Sequence, residues 1–505
     1  MRMLDHKTKF AAVSAAALLA IVPGCRVGPR YHAPAPPAVT APNYKESTVN
    51  FKDEPGWKVA SPQEAMIRGN WWEIFHEPEL NALEEQLNIN NQNIKIAFEN
   101  YMAARALIAQ ARAQYWPTIA AAPGWGRSRS SGNLRNSSQA NTGTTSTLWS
   151  APLQVSWAPD LWGKIRNEVR TEQYTAQASE ADLELEKLTE QASLAQFYFE
   201  IRGQDMLQQI LSKTLQADKQ ALDAAQGAYD AGTGDYISVV EAKSTYQAAQ
   251  ASLVAVGLSR AQYEHAIAML VGKVATDFSM PVRPMLYTPP AIPTGMPSQL
   301  LERRPDVAAA ERTVAAANAT IGVGYGAFFP QLSISAAAGY DSSLFKHLFD
   351  WPSRFWSVGP SINQVLFNGW LYRAQLHQYE AIYNGDVATY RQTVLTAFQQ
   401  VEDALVATRN YSQQILAQQE AVQSSQQFFD LEMQRYQSGI DPFVNVLTAQ
   451  TTLLSDQINL NSLQVQQMMS VVQLVEALGG GWDQSQLPTP SQVTHTSKAD
   501  YSMQH

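Results

Sequence analysis

The clearest periodicity in the chain lies near its C-terminal end. Leu454, Ile458, Asn461, Val465, Met468, Val472 and Val475 step by four and three. A 3.5-residue period predicts a helix that keeps one seam against a neighbour in a left-handed coil. An equivalent line runs through Gln247, Ala251, Val254, Leu258, Ala261, His265 and Ala268, with His265 read as a packing residue. The other faces carry Ala, Ser, Gln and Thr, so such helices can pack on two neighbours and still show a polar side to water. A long tract precedes each seam. Lys164 to Ala231 has no proline and only Gly203 and Gly227 inside it, and Arg373 to Ser438 has only Gly385. Some 65 helical residues would span about 100 Å. Gly232 and Gly439 stand where these helices should end, and each is followed by a short turn and a return helix to Gly272 or Gly479. Upstream, a helical pattern starts at Pro78, a first-turn position, and Pro117 stops it after Tyr115.

Between the helical tracts the pattern changes. Thr118 to Arg129 and Thr147 to Trp157 read as strands, joined by the polar loop Ser130 to Ser146. Gln331 to Tyr340 and Phe355 to Phe367 read likewise, joined around Asp341 to Arg354. The two halves are copies. Tyr229, Gly232, Asp235, Val239, Val240 and Ala242 return as Tyr436, Gly439, Asp441-Pro442, Val446, Leu447 and Ala449, at an offset of 207 residues for the flanking glycines. Asn93-Ile94 through Tyr115-Trp116-Pro117 likewise parallels Asp306-Val307 through Phe328-Phe329-Pro330. A long internal duplication points to two copies of one structural unit about a pseudo-symmetry axis. The divisions that follow are 1–24, 25–70, a first repeat over 71–280, a proline-rich linker over 281–299, a second repeat over 300–480, and a tail over 481–505.

Composition removes several function classes. The formal net charge is −9, with no basic block, so nucleic acid is not an expected partner, since phosphate binding needs clustered Lys and Arg. The eight histidines are scattered without ligand spacing, and no HExxH, CxxC, Walker loop or GxSxG occurs. No enzyme, metal site or cofactor is therefore expected. No run of 18 apolar residues exists, so a membrane crossing must use strands of a closed barrel. The only cysteine is Cys25. Arg2, Lys7 and Lys9 precede a short apolar segment, Phe10 to Val22, and then Pro23-Gly24-Cys25, which reads as a secretory signal over 1–24. A cysteine at the cut resembles a bacterial lipobox, making Cys25 the expected lipidated N-terminus. Arg26 after it favours outer-membrane sorting. Pro29, Pro34, Pro36, Pro37, Pro42 and Pro55 then describe an extended strap.

Four strands per chain cannot close a barrel, for which about eight is the practical minimum. Closure therefore needs several chains, with the long helices making a tube continuous with the barrel. Aromatic residues gather at the strand ends, among them Trp116, Trp149, Trp157, Phe329, Trp356 and Trp370, as in the girdles at bilayer interfaces. Several motifs in this order carry a resemblance: Cys25-Arg-Val-Gly28-Pro29-Arg-Tyr31, Trp71-Trp72-Glu-Ile-Phe75, Leu300-Leu-Glu302-Arg303-Arg304-Pro305-Asp306-Val307, Phe328-Phe329-Pro330, and the Tyr-x-x-Gly turns at Tyr229 and Tyr436. From Cys25 to about Gly481 the chain resembles a TolC-family outer-membrane factor, in the lipoprotein branch that serves resistance-nodulation-division efflux systems. Two other readings share features with this one: an exit duct for protein or siderophore export, and a coiled-coil envelope lipoprotein without a pore.

The resemblance implies a homotrimer with a twelve-stranded outer-membrane barrel, four strands per chain, above a long α-helical periplasmic barrel. It implies a passive exit duct that an inner-membrane pump feeds through a periplasmic adaptor. The closed tip is expected at the helix turns, with Gly232 and Gly439 giving backbone freedom there. Adaptor docking is expected at Tyr229, Tyr436 and the segments Asp230 to Tyr236 and Gln437 to Phe443. The family often places carboxylates one and two turns past the tip glycine, but the matching positions here hold Asn445 and Thr448, with Ser238 and Glu241 in the first copy. An acidic constriction is then expected to use Asp235, Asp441 and Glu241. Such a ring would raise its own pKa values by like-charge repulsion. Methionine is not clustered into a metal-relay pattern.

Overall fold

The computed structural model describes residues 27–37, 44–48, 69–132, 143–284, 289, 290, 292 and 300–494. The signal segment 1–24, Cys25 and most of the linker over 281–299 lie outside the described residues. The duplication is visible as equal helix lengths. In the first half, α1 (Pro78–Asn90) and α2 (Gln92–Ala113) lead to the strands β1 (Thr118–Ala121), β2 (Gly124–Arg129) and β3 (Thr145–Trp157). Then come α3 (Lys164–Asp230) and α4 (Tyr236–Leu270). The second half runs α5 (Pro305–Gly326), β4 (Gln331–Ser342), β5 (Arg354–Asn363), α6 (Leu371–Gln437) and α7 (Phe443–Ala477). The pairs α2/α5, α3/α6 and α4/α7 have 22, 67 and 35 residues in both copies. At 1.5 Å per residue the 67-residue helices are about 100 Å long.

The helices form one layer. α3 packs on α2, α4, α5 and α7, while α6 packs on α5 and α7. Each long helix is thus flanked by a shorter pair, α2 with α4 or α5 with α7. Position in this layer decides which seams are buried. α7 lies between α3 and α6, and Val465, Met468, Val472 and Val475 of its predicted seam are buried. Asn461 donates to the Gly203 carbonyl at 3.1 Å. A Cβ on Gly203 would come within 2.4 Å of Val465, so the close α3–α7 approach depends on that glycine. α4 has α3 along one side only. Its buried line is Val239, Ala242, Ala249, Val256 and Ile267; of the predicted seam only Ala268 is buried and Ala261 half-buried, whereas Gln247, Ala251, Val254, Leu258 and His265 are exposed. The first-copy seam, with its packing role for His265, is therefore corrected. Among the described residues, no helix of this chain covers the exposed stretch from Gln247 to Leu258.

The sheet pairs antiparallel in the order β1, β3, β4, β5, with β2 also on β3. Thr118 faces Ser156 and Arg129 faces Thr145 in one unbroken register, so β1 and β2 act as a single strand interrupted at Ala122-Pro123. Pro123 has no N–H to give the ladder. The chain thus supplies four strand positions. β5 ends at Asn363, short of the predicted Phe367. Side chains alternate faces along each strand, and register aligns the alternation across the sheet. One face carries Ile119, Trp125, Leu153, Val155, Ile334, Trp356, Val358 and Ile362. The other carries Ser128, Ser146, Ser150, Gln154, Ser156, Ser333, Ser335 and Ser361. Serine pairs bridge strands on that face, Ser128 to Ser146 at 3.0 Å and Ser333 to Ser361 at 2.8 Å.

Between sheet and tip, an ion network ties the first repeat together. Arg202, fully buried, donates to Asp205 at 2.8 Å and to Glu79 at 2.5 Å, while Arg260 reaches the other Asp205 oxygen at 2.7 Å. Arg202 also donates to the Pro281 carbonyl at 2.8 Å. The network joins α1, α3, α4 and the segment after α4. Arg202→Met would leave Asp205 buried with one cation lost, and removing one partner of a buried pair typically costs about 3–5 kcal/mol. We expect a clear fall in the midpoint of thermal unfolding in detergent. Arg435→Gln, which breaks a solvent-screened pair at the tip, should leave it almost unchanged.

The helical tip as candidate functional site

At the end remote from the sheet, α3 turns into α4 and α6 into α7. Both turns close alike. Thr233 N–H and Gly234 N–H donate to the Ala228 carbonyl at 2.9 Å, and Ile440 N–H donates to the Arg435 carbonyl at 2.9 Å. Gly232 (φ 70°) and Gly439 (φ 72°) occupy the left-handed conformation, which side chains with a Cβ rarely adopt. Tyr229 packs on Tyr236 with ring centroids 5.4 Å apart, and Tyr436 on Phe443 at 5.1 Å. Ala225, Val239 and Ala242 of the first hairpin meet Phe443 and Val446 of the second in one buried cluster, with Tyr436 packed against it. The copies are therefore not equivalent. The second turn tucks its aromatic pair against the first, leaving Tyr229 and Tyr236 exposed. Phe443, at the end of the segment expected to dock the adaptor, is buried. Ile237, Ile440 and Val444 beside the two turns are exposed.

The sequence-predicted gate residues have local partners. Asp235 caps α4, accepting from the Ser238 backbone N–H at 2.8 Å. This bond and the Ser238 hydroxyl hold its carboxyl below the usual carboxylate range. Asp441 pairs with the Arg435 guanidinium, which holds it low as well. The upward shift expected of a carboxylate ring is thus absent in the single chain, because each group is stabilised in its charged form by a donor of its own turn. Glu241 is half-buried, and its backbone carbonyl accepts from Thr245. Asn445 is half-buried at the start of α7. Thr448 is exposed and donates to the Val444 carbonyl at 2.9 Å. With Thr451, Thr452, Ser455 and Asp456 it lines a groove of about 510 Å³ along α7.

One polar contact at the tip had no sequence signal. Asp218 of α3 is buried and accepts from the Gln450 amide of α7, which is buried too. The second carboxylate oxygen has no partner. Burial pushes the Asp218 carboxyl up, and the Gln450 bond only partly opposes this.

A profile of the outer membrane efflux protein family matches residues 83–273 and again residues 296–480, once per repeat. The chain belongs to that family. The antibiotic efflux pump outer membrane protein ArpC of Pseudomonas putida is 30% identical over 465 residues, covering 92% of this chain and 94% of that protein. The solvent efflux pump outer membrane protein SrpC, of the same species, is 32% identical over 482 residues, covering 95% and 100%. The solved outer-membrane channel OprN superposes with a TM-score of 0.80 at 26% identity, covering 91% of this chain and all of that one. This outer membrane efflux protein is thus a channel of the outer membrane whose helices extend into the periplasm. The fold expected from its duplicated sequence is the fold of the family.

Asp218 gives this channel a pH-dependent contact between hairpins. Its folded pKa lies above the unfolded value, so the stability of the protonated form is fully present below the unfolded pKa, near 4, and is lost as pH rises from there. Asp218→Asn keeps the contact with Gln450 and removes the charge. The variant should unfold at a higher temperature than the parent at pH 7 and at the same temperature near pH 3. Equal midpoints at both pH values would contradict the assignment.

Proposed function

We propose that three copies of this protein close a twelve-stranded barrel in the outer membrane and a continuous helical tunnel below it. The assembly forms the passive exit duct of a tripartite efflux system for small toxic compounds. The observation that carries this reading is the two-faced sheet. Its apolar face suits lipid and its serine-rich face suits a water-filled lumen. β1 and β5 are sheet edges in the single chain, and a bilayer does not tolerate unpaired strand backbone. The exposed apolar stripes of α4 (Val254, Leu258) and α6 (Leu395, Leu416, Leu431) lie at the two ends of the helical layer, where neighbouring copies would meet. The named relatives export antibiotics and solvents, which supports small apolar cargo here. An inner-membrane pump of the resistance-nodulation-division type would load the duct through a periplasmic adaptor. The adaptor would dock on the turns at Gly232 and Gly439, against Tyr229, Tyr236, Ile237 and Ile440.

We place the lipid anchor at Cys25. The strap next to it is fixed at the barrel end of the helices, where Val27 N–H donates to the Trp162 carbonyl at 3.1 Å and Trp162 stacks on Phe329 at 5.0 Å. Two residues from Val27, an acylated Cys25 would lie at the membrane surface. Full-length protein extracted in detergent should have the native mass of a trimer, and its chains should carry an added acyl mass that Cys25→Ser abolishes. A stable monomer would leave the strand edges open and end the pore reading. An unmodified Cys25 would remove only the anchor.

In the assembled tip, Asp235, Asp441 and Glu241 form the acidic part of the constriction, with Asn445 and Thr448 beside them. Double replacement of Asp235 and Asp441 by Ala should raise resting conductance in planar bilayers and lower cation preference. Unchanged conductance and selectivity would assign both carboxylates to turn stability alone.

A further inference from the structure

A cavity of about 430 Å³ lies where the N-terminal strap crosses the groove between α5 and α6. Pro29, Arg30 and His32 of the strap form one wall, with Asn318 and Tyr325 of α5 and Glu380 of α6 opposite. The strap is pinned on both sides of Arg30 and His32. Gly28 lies so close to Gly322 that a Cβ would sit 2.6 Å from its Cα, and the Tyr31 hydroxyl donates to the buried Glu311 carboxylate. Arg30 and His32, one on each side of Tyr31, are therefore held at the cavity by a fixed backbone. Neither has an ion-pair partner among the described residues, and neither has Glu380. Asn318 is 6% exposed, and its amide nitrogen has no hydrogen-bond partner. A buried donor left unsatisfied is destabilising, and a bound acceptor would relieve it.

The height of the cavity narrows the ligand. Tyr325 and Asn318 precede the end of α5 at Gly326 by one and eight residues, so the cavity begins about 2 Å and reaches about 12 Å below the barrel junction. The headgroup layer on each side of a bilayer is roughly 5–8 Å thick. The site thus overlaps the inner-leaflet headgroups, at the end of the strap that leads to Cys25.

We propose that this cavity binds the headgroup of an ethanolamine phospholipid of the inner leaflet. The phosphate would sit on Arg30, His32 and the Asn318 amide, and the ammonium would face Glu380. A purely anionic ligand would leave Glu380 repelling it, whereas a zwitterion matches both walls. The proposal rests on the barrel end of the helices lying at the membrane, as the family fold places it.

Native mass spectrometry of the full-length protein, released from nanodiscs of equal phosphatidylethanolamine and phosphatidylglycerol, tests this. The parent should retain about one ethanolamine lipid per chain. The double variant Arg30→Gln/His32→Gln should lose at least tenfold in retention, and Glu380→Gln should keep lipid but lose the ethanolamine preference. Asn318→Leu, at a helix position that tolerates it on propensity grounds, should lower retention without altering headgroup preference. Retention equal in parent and double variant would overturn the proposal. So would binding of added inorganic phosphate with no lipid carried over, which would mark a free-anion site. The same spectra report the trimer, so a failure of the lipid site is distinguishable from a failure of the pore reading.

Discussion

The backbone of a membrane-spanning strand has no water to bond with, and this constraint governs the rest of the molecule. Four strand positions leave two open edges, β1 and β5, and only closure onto other copies satisfies them. Closure fixes the number of copies, and with it the number of helices that must form one tube beneath the barrel. The duplicated helices then have to match in length. They do so residue for residue, at 22, 67 and 35 in each half. The six residues by which the two spacings of the duplication differ fall in the strand region, where a hairpin loop absorbs them without disturbing the tube.

Departures from symmetry mark the places where the two copies do different work. Gly163 and Trp370 are equivalent helix starts, and both adopt a left-handed conformation, φ 81° and 70°. Glycine does this freely, whereas for a tryptophan it is strained, at a cost on the order of 1–3 kcal/mol. Trp370 is exposed beside Phe367 at the foot of the barrel and stacks with Arg373 at 4.7 Å. At the other end of the tube the turns diverge again, with Phe443 buried and its counterpart Tyr236 exposed.

Polar groups inside the helical layer divide into two kinds. The network of Arg202, Asp205, Arg260 and Glu79 is held by several charge-assisted hydrogen bonds and ties α1, α3 and α4 together, with only the Arg202 Nε left unpartnered. The pair of Asp218 and Gln450 joins the two hairpins near the tip through a single bond and leaves one oxygen unpartnered. A buried contact made by a single bond is easier to break than one shared among several. The middle of the helical layer is thus tied by more bonds between helices than the contact near the tip.

Much of this protein was legible in its sequence, because periodicity and duplication are properties of the chain itself. The proline-free tracts, the terminal glycines and the strand pairs follow from local chemistry. The fold class follows from four strands being too few to close a barrel. Residues that depend on a neighbour were not legible. The same 3.5-residue line is buried at Val465 and Val472 but exposed at Val254 and Leu258, because α7 has helices on two sides and α4 on one. Asp235 and Asp441 looked alike as gate carboxylates, yet one caps a helix and the other pairs with Arg435. Asp218 and Gln450, 232 residues apart in sequence, met only in the tertiary structure. Local propensity selects the elements, and burial and pairing are decided by what the folded layer brings against each face.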